Sequence, residues 1–197
     1  MRDEVIARLV SEVVDLRGRL ASLETQERGR SPVLIRQEIL TSDAASVTFS
    51  DIPQTFRGLE LRIYARSSKV ARYDNVLMRC NADSGASYNN AQFGSWGTGV
   101  YAWEGIGVTS MSIGWVSAAS AAANQFGVIV ASLPGYRGAG KKSLVASNHS
   151  GDETTSSLST GASGGNWEST DAVTSLTLFA EGGDLLAGTE ISLHGVP

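Results

Sequence analysis

The sequence predicts a mainly β fold: a jelly-roll-like antiparallel β-sandwich preceded by an N-terminal α-helical coiled coil. Two observations lead to this prediction. From residue 33 onward, short runs of β-branched and aromatic residues are separated by Gly, Ser, Asn and Asp. The first 30 residues instead contain six Arg, six acidic residues and no aromatic residue. We therefore predict a coiled-coil oligomerisation helix over residues 1–28, a linker over 29–32 and a sandwich domain over 33–197.

The predicted helix has apolar residues spaced alternately three and four apart, which is a heptad repeat. The a positions are Ile6, Val13 and Leu20, and the d positions are Leu9, Leu16 and Leu23. In a parallel assembly, Glu12 at g would face Arg17 at the next e, and Arg19 would face Glu24 in the same way. Both pairs have opposite charges. The segment therefore favours parallel self-association over an amphipathic helix packed on its own domain, which is the alternative.

The heptads do not by themselves decide between a dimer and a trimer. β-branched residues at two a positions with Leu at d favour a dimer, whereas Val5 at g and Val10 at e widen the apolar seam and favour a trimer. Three heptads are also short for a stable coiled coil, so the following domain must add contacts. We expect a homotrimer.

The body of the chain begins after Gly29 and Pro32, which end the helix. Residues 59–64 and 173–178 alternate apolar with polar side chains, as half-buried antiparallel strands do. By contrast, Asn148–Asn166 is rich in Ser, Thr and Gly, which predicts an exposed loop or a weak edge hairpin. The predicted strands are Val33–Leu40, Ser46–Phe49, Leu59–Arg66, Val76–Asn81, Gly99–Trp103, Thr109–Val116, Phe126–Ala131, Lys142–Ala146, Ala172–Phe179 and Thr189–Gly195.

The C-terminal strands are predicted to pair within the core sheet of the sandwich. Leu176, Leu178, Ile191 and Leu193 all recur at a period of two. The end of the chain should therefore be needed for folding.

Composition argues against several classes of protein. A net charge of −4 provides no basic surface for nucleic acid, and no apolar run reaches the roughly 20 residues of a membrane helix. A single cysteine, Cys80, and two histidines argue against a disulfide scaffold or a zinc module. Cys80 is expected to point into the sandwich as a small apolar side chain. We expect no cofactor, no metal and no ordinary secretion signal.

Three short motifs resemble catalytic or binding signatures, but each lacks a required feature. Residues 135–143 approach the phosphate-binding P-loop, yet Lys142 stands where a Ser or Thr would hold magnesium. Residues 161–165 fit the G-x-S-x-G pattern around Ser163, but they lie in a Ser/Gly-rich segment. Residues 81–85 could contribute oxygen ligands to calcium, although a turn bonded to its own backbone is the better interpretation. We expect no catalytic site, since His149 and His194 form no triad either.

An aromatic segment, residues 88–103, is the candidate surface for a ligand or partner, because exposed aromatic side chains stack on sugars and anchor interfaces. The alternative is that its aromatic residues fold back over the end of the sandwich. Its candidate residues are Tyr88, Phe93, Trp96, Tyr101 and Trp103.

Several short motifs, taken in order, resemble a β-domain of capsid-surface and tail-associated proteins in tailed bacteriophages. The matching segments are residues 52–56 (Ile-Pro-Gln-Thr-Phe), 59–61, 65–67, 79–88, 133–136 (Leu-Pro-Gly-Tyr), 167–178, 187–189 and 193–195. They span nearly all of residues 33–197. In that family an aromatic residue usually stands where this chain has Cys80, and Gly where it has Ala82, so the turn after this strand is expected to differ.

The resemblance implies a non-enzymatic virion structural protein, commonly trimeric, and the heptads independently favour self-association. We therefore expect a capsid decoration protein or short head fibre on the virion surface, made in the host cytoplasm. Its expected partners are further copies of itself and other virion proteins, above all the major capsid protein. The alternative is a minor tail or tail-fibre protein whose β-domain binds a receptor or a host surface glycan. We expect neither nucleic-acid binding nor membrane insertion.

Overall fold

A computed structural model describes Arg8 and residues 12–22, 31–152 and 157–197. These residues form one helix, over residues 12–22, and twelve strands. The strands are β1 (Val33–Ile39), β2 (Val47–Phe49), β3 (Gly58–Ala65), β4 (Tyr73–Cys80), β5 (Tyr88–Trp96), β6 (Gly99–Val108), β7 (Met111–Ser117), β8 (Gly127–Pro134), β9 (Lys142–Asp152), β10 (Ser157–Trp167), β11 (Leu176–Ala180) and β12 (Glu190–Val196).

The strands form two antiparallel sheets that face each other, which confirms the predicted β-sandwich. The larger sheet has the order β1-β12-β3-β8-β9-β10-β5-β6, and the smaller has the order β2-β11-β4-β7. The chain crosses repeatedly between the sheets, as it does in jelly rolls. Strand β7, at one edge of the smaller sheet, packs across β8, β9, β10 and β5 of the larger one.

The apolar core lies between the sheets and follows the alternation in the sequence. Leu59, Leu61 and Ile63 of β3 are buried, as are Ile191 and Leu193 of β12. Strand β12 pairs with β1 on one side and β3 on the other. The C-terminal strand therefore lies inside the larger sheet, as predicted.

The prediction of an exposed loop or an edge hairpin for Asn148–Asn166 is wrong, because the described part of this segment, residues 148–152 and 157–166, lies inside the larger sheet. It forms most of the β9–β10 hairpin, which is flanked by β8 and β5. The interior side of the hairpin carries small polar residues: Ser150, Ser159 and Ser163 are all buried. A strand whose buried side chains are polar lacks the apolar alternation by which strands are recognised.

The aromatic segment lies in a β-hairpin of strands β5 and β6. Within this segment only Gly99–Trp103, part of β6, was predicted as a strand, so β5 was missed. Trp96 pairs with Gly99 across a two-residue turn, and Gly97 in that turn has a φ of 57°. A positive φ favours glycine there. Asn89, Asn90 and Gly94 of β5 obscured its alternation.

The helix over residues 12–22 exposes its apolar stripe in the single chain. Val13, Leu16 and Leu20 are 46%, 59% and 57% exposed. Glu12 accepts a hydrogen bond from Arg8 at 3.2 Å. The other predicted heptad residues, Ile6, Leu9 and Leu23, lie outside the described residues.

The turn after β4 is bonded to its own backbone, as predicted. Asp83 accepts hydrogen bonds from the Gly85 amide at 2.8 Å and the Trp167 indole N–H at 2.7 Å. The Trp167 bond is the main reason why the pKa of Asp83 is lowered. Cys80 is fully buried before this turn, also as predicted, and burial raises the pKa of its thiol to about 12.

The segment that resembles a P-loop leads into strand β9, and its Lys142 has a structural role. The Lys142 side chain is buried, and Nζ donates to the carbonyl oxygens of Gly138 at 2.7 Å, Thr170 at 3.3 Å and Gly140. A buried ammonium needs such acceptors, and the carbonyl groups in turn need the donor. Lys142 therefore ties the β8–β9 connection to residue 170.

We expect Lys142→Met to destabilise the domain by about 2–4 kcal/mol, because three carbonyl oxygens lose a charged donor. Urea unfolding of the full chain would measure the loss as a lower midpoint. The matched control is Lys141→Met, which removes only an exposed ion pair with Glu168. It should cost at most about 1 kcal/mol. Equal midpoints for the two variants would contradict the structural role of Lys142.

Candidate binding cleft

The β5–β6 hairpin places three aromatic side chains on the side of the larger sheet that faces the smaller one. Gln92 of β5 points into the sandwich interior, and Trp96 lies four residues further along the same face. Gln92 pairs with Trp103 of β6, and Gly94 pairs with Tyr101, so these residues share that face. Trp96 and Trp103 are 44% and 48% exposed. The inner face of the hairpin is thus open to solvent beyond Gln92.

Trp115 of β7 joins these residues from the smaller sheet. Its ring is nearly perpendicular to that of Trp96, at 89°, with the ring centroids 5.3 Å apart. The ring of Tyr101 lies 4.8 Å from that of Trp96 and 6.4 Å from that of Trp115. Edge-to-face and tilted contacts of this kind are favourable for aromatic rings. We call the site lined by Trp96, Tyr101, Trp103 and Trp115 the aromatic cleft.

Two glycines make room for Tyr101. A Cβ atom at either Gly94 or Gly161 would lie 2.7 Å from the Tyr101 hydroxyl oxygen, closer than such contacts occur. This explains the first glycine of the G-x-S-x-G pattern, which accommodates a ring from β6. Substituting either glycine would displace Tyr101.

The floor of the cleft is a network of buried polar side chains. Gln92 Nε2 donates to Ser163 Oγ at 3.0 Å and to Ser112 Oγ. Ser112 Oγ donates in turn to Asn75 Oδ1 at 2.6 Å. In each of the hydrogen bonds described for the Gln92 side-chain amide, the donor is Nε2. Ser163, the serine of the G-x-S-x-G pattern, therefore helps to orient this amide.

The cleft consists of two chambers that share a wall. One has a volume of about 340 Å³ and the other of about 370 Å³. Trp96 and Trp115 line both chambers. The first is completed by Asn75, Gln92, Tyr101, Ala102, Trp103 and Glu181, and the second by Ala71, Arg72 and Tyr73. Cavities of this size suit small ligands.

The electrostatics of the cleft are mild. The lining residues include one carboxylate, Glu181, and one guanidinium, Arg72. Burial raises the pKa of Tyr101, and the indole N–H of Trp115 beside it opposes the rise. That N–H is buried without a hydrogen-bond partner of regular geometry. It is a donor that a polar ligand could satisfy after a small movement of the ring.

The structure brings together three of the five candidate residues from the aromatic segment. Trp96, Tyr101 and Trp103 lie in the cleft, whereas Phe93 is 64% exposed on the opposite face of the hairpin. Tyr88 is not a surface residue, contrary to the prediction. It is fully buried, and its hydroxyl accepts from the Cys80 amide at 3.0 Å and donates to the Asp83 carbonyl at 3.1 Å. Burial raises the pKa of the Tyr88 hydroxyl.

Sequence reasoning missed Trp115, which it placed in a strand without a role in binding. Gly114 has a φ of 142°, and the pairing of β4 with β7 shifts register next to it. This irregularity brings Trp115 to the cleft and interrupts the alternation that a sequence pattern relies on. A Gly-Trp pair within a predicted strand is the signal that could have indicated it.

The described residues contain no group of three or more His, Cys, Asp or Glu side chains that could hold a metal ion. His149 lies on β9 and His194 on β12, with β3 and β8 between these strands. Within the same residues, no helix is long and apolar enough to cross a membrane.

Comparison with known proteins leaves the family open. No family model matches the sequence, and no curated protein matches it. Among solved structures, the chain is similar to galectin LEC-6 of Caenorhabditis elegans, with 10% sequence identity and a TM-score of 0.32. The similarity covers 82% of this chain and 95% of the galectin. A TM-score this low does not establish a common fold.

Proposed function

We propose that this chain is a non-enzymatic, homotrimeric structural protein of a tailed-bacteriophage virion, on the capsid surface as a decoration protein or short head fibre. The apolar stripe of the helix is the observation that carries the proposal. Val13, Leu16 and Leu20 recur at heptad spacing, and each exposes about half or more of its surface in the single chain. Helices with such a stripe associate to cover it. A parallel trimer would hold three sandwich domains together.

The outer face of the larger sheet supports self-association by a second surface. One row of residues across five neighbouring strands carries no charge. The row consists of Val130, Ser147, Ala162, Phe93 and Ala102. Val128 and Val145 lie beside it and are exposed as well. Another copy of the chain would cover such a face and supply the contacts that three heptads lack.

The proposed partners are further copies of the chain and other virion proteins, chiefly the major capsid protein. Three weak attachments to a capsid, made together, act as one strong attachment. The resemblance of residues 33–197 to phage virion domains supports this location. The engagement of Ser163 in the floor network supports a non-enzymatic role for the G-x-S-x-G pattern.

A second candidate function is glycan or receptor binding by the sandwich domain, as part of a minor tail or tail-fibre protein. The aromatic cleft favours this candidate, because it combines four aromatic rings with buried amide groups. Aromatic faces and amides together are suited to ligands that are apolar on one side and polar on the other.

Electron microscopy of virions that carry this chain, labelled with a gold-conjugated antibody against it, tests the location. We expect label distributed over the capsid surface. Label confined to the tail would favour the second candidate and overturn capsid decoration. Particles without label, in preparations where the antibody detects the purified protein, would contradict both.

A further inference from the structure

The two chambers of the cleft meet at one pair of aromatic rings. Trp96 and Trp115 line both chambers, and their rings stand at 89° to each other. A ligand that spans both chambers would cross these rings. It would then lie in a short groove with aromatic residues in the middle.

We propose that this groove binds a neutral oligosaccharide of at least two pyranose units, with one unit in each chamber. The inference rests on the second candidate function, the glycan-binding role, and specifies its ligand class. The C–H groups on one face of a pyranose carry partial positive charge and are attracted to the negative face of an indole ring. The ring hydroxyl groups both donate and accept hydrogen bonds, which suits amide side chains.

The polar groups of the first chamber match such a ligand. The network holds Gln92 through Nε2 and Asn75 through Oδ1, and both residues line the first chamber. The ligand would bind the other two polar atoms of these amides, the Gln92 carbonyl oxygen and the Asn75 amide nitrogen. These atoms are one acceptor and one donor on side chains that are already fixed. A rigid binding site loses little conformational entropy when the ligand binds.

The charges of the groove favour a neutral sugar. Glu181 in the first chamber would repel a carboxylated or sulfated sugar, and Arg72 in the second offsets this single negative charge. The remaining lining groups carry no charge. A strongly anionic glycan therefore finds no cluster of cations in the groove.

The two chambers predict how affinity depends on the length of the ligand. A monosaccharide can fill only one chamber, whereas a disaccharide or trisaccharide can reach both. Affinity should rise about 10-fold or more from one unit to two or three, and then level off, since the groove proposed from the described residues has two chambers.

Isothermal titration calorimetry of the full chain tests this dependence. The probes are the maltose, cellobiose and mannobiose series, each from one to four units, and lactose as a further neutral disaccharide, with sialyllactose as the anionic comparison. We expect at least one neutral series to bind with the predicted rise in affinity. Absence of neutral binding at about 10 mM ligand would overturn the inference. A rise in affinity that continues through four units, or tighter binding of sialyllactose, would also overturn it.

Substitutions in each chamber test which sugar unit of the ligand binds there. Trp96→Ala should weaken binding of every probe about 10-fold or more, since Trp96 lines both chambers. Trp103→Ala removes a wall of the first chamber and should weaken even monosaccharide binding. Tyr73→Ala affects the second chamber and should weaken only probes of two or more units.

Phe93→Ala is the matched control, because it removes an exposed aromatic side chain from the opposite face of the same strand. It should leave sugar binding unchanged, and unfolding midpoints would show that all four variants fold. Equal losses in Phe93→Ala and Trp96→Ala would overturn the site. If the antibody labels the capsid of virions but the purified chain binds no sugar, only this inference is refuted. Sugar binding by a chain that is absent from particles would refute only the virion role.

Discussion

Removing residues 184–197 is expected to leave a chain that does not fold and is recovered in the insoluble fraction. The truncation deletes β12, which pairs with β1 and β3 on its two sides. It also removes Leu185, Ile191 and Leu193, all fully buried. Burial of each such side chain contributes about 1.5–3 kcal/mol, so their loss approaches the whole stability of a typical domain, about 5–15 kcal/mol.

Point variants separate loss of the core from loss of chain length. Ile191→Asp and Leu193→Asp place a carboxylate in the core and should each reproduce the insolubility of the truncation. Ser192→Asp, between them on the outer side of the strand, is the control and should remain soluble. Fractionation of cell lysates and far-ultraviolet circular dichroism measure the outcome. A truncated chain that is soluble and unfolds cooperatively would show that β12 is dispensable.

The sequence was informative about the fold where burial and apolarity coincide. In β3 and β12 the inward residues are Leu and Ile, so a period of two predicts both the strand and its buried face. In the second half of β9 and the first half of β10 the inward residues are Asn148, Ser150 and Ser159, so the same geometry left no apolar signal there. The larger sheet is continuous through these strands because hydrogen-bonded backbone pairing, not side-chain apolarity, joins them.

The candidate site was only partly predictable for a related reason. The aromatic richness of residues 88–103 singled out Trp96, Tyr101 and Trp103, which line one cleft, but could not distinguish the face of each side chain. Once β5 is assigned as a strand, alternation places Phe93 on the other face from Trp96. Trp115 comes from the opposite sheet, and contacts between sheets are not encoded in local spacing.

Oligomerisation would also affect binding at the aromatic cleft. A trimer presents three clefts, so a surface that displays many copies of one glycan can engage them together. Weak binding by a single cleft is then compatible with firm attachment of the assembly. Both candidate functions therefore depend on the oligomeric state, because attachment to a capsid and attachment to a glycan surface each become firm only when several copies bind together.

Changing Leu16 and Leu20 together to Asp is expected to convert the full chain from the proposed trimer to a monomer at micromolar concentration. Each substitution places a carboxylate at a d or a position of the seam, and burying an unpaired charge costs several kcal/mol. Sedimentation velocity would measure the change in mass. The sandwich should keep its near-ultraviolet circular dichroism, because both side chains are exposed in the single chain.

The matched control for this variant is Val14→Asp with Ser22→Asp, which adds the same charge to the same helix outside the a and d positions. Both residues are exposed, and the control should remain a trimer. An unaltered chain that sediments as a monomer would refute self-association. A trimer that survives the changes at Leu16 and Leu20 would locate the decisive contact outside the heptads. The uncharged row on the outer face of the larger sheet would then be the surface to change next, beginning with Val130→Asp.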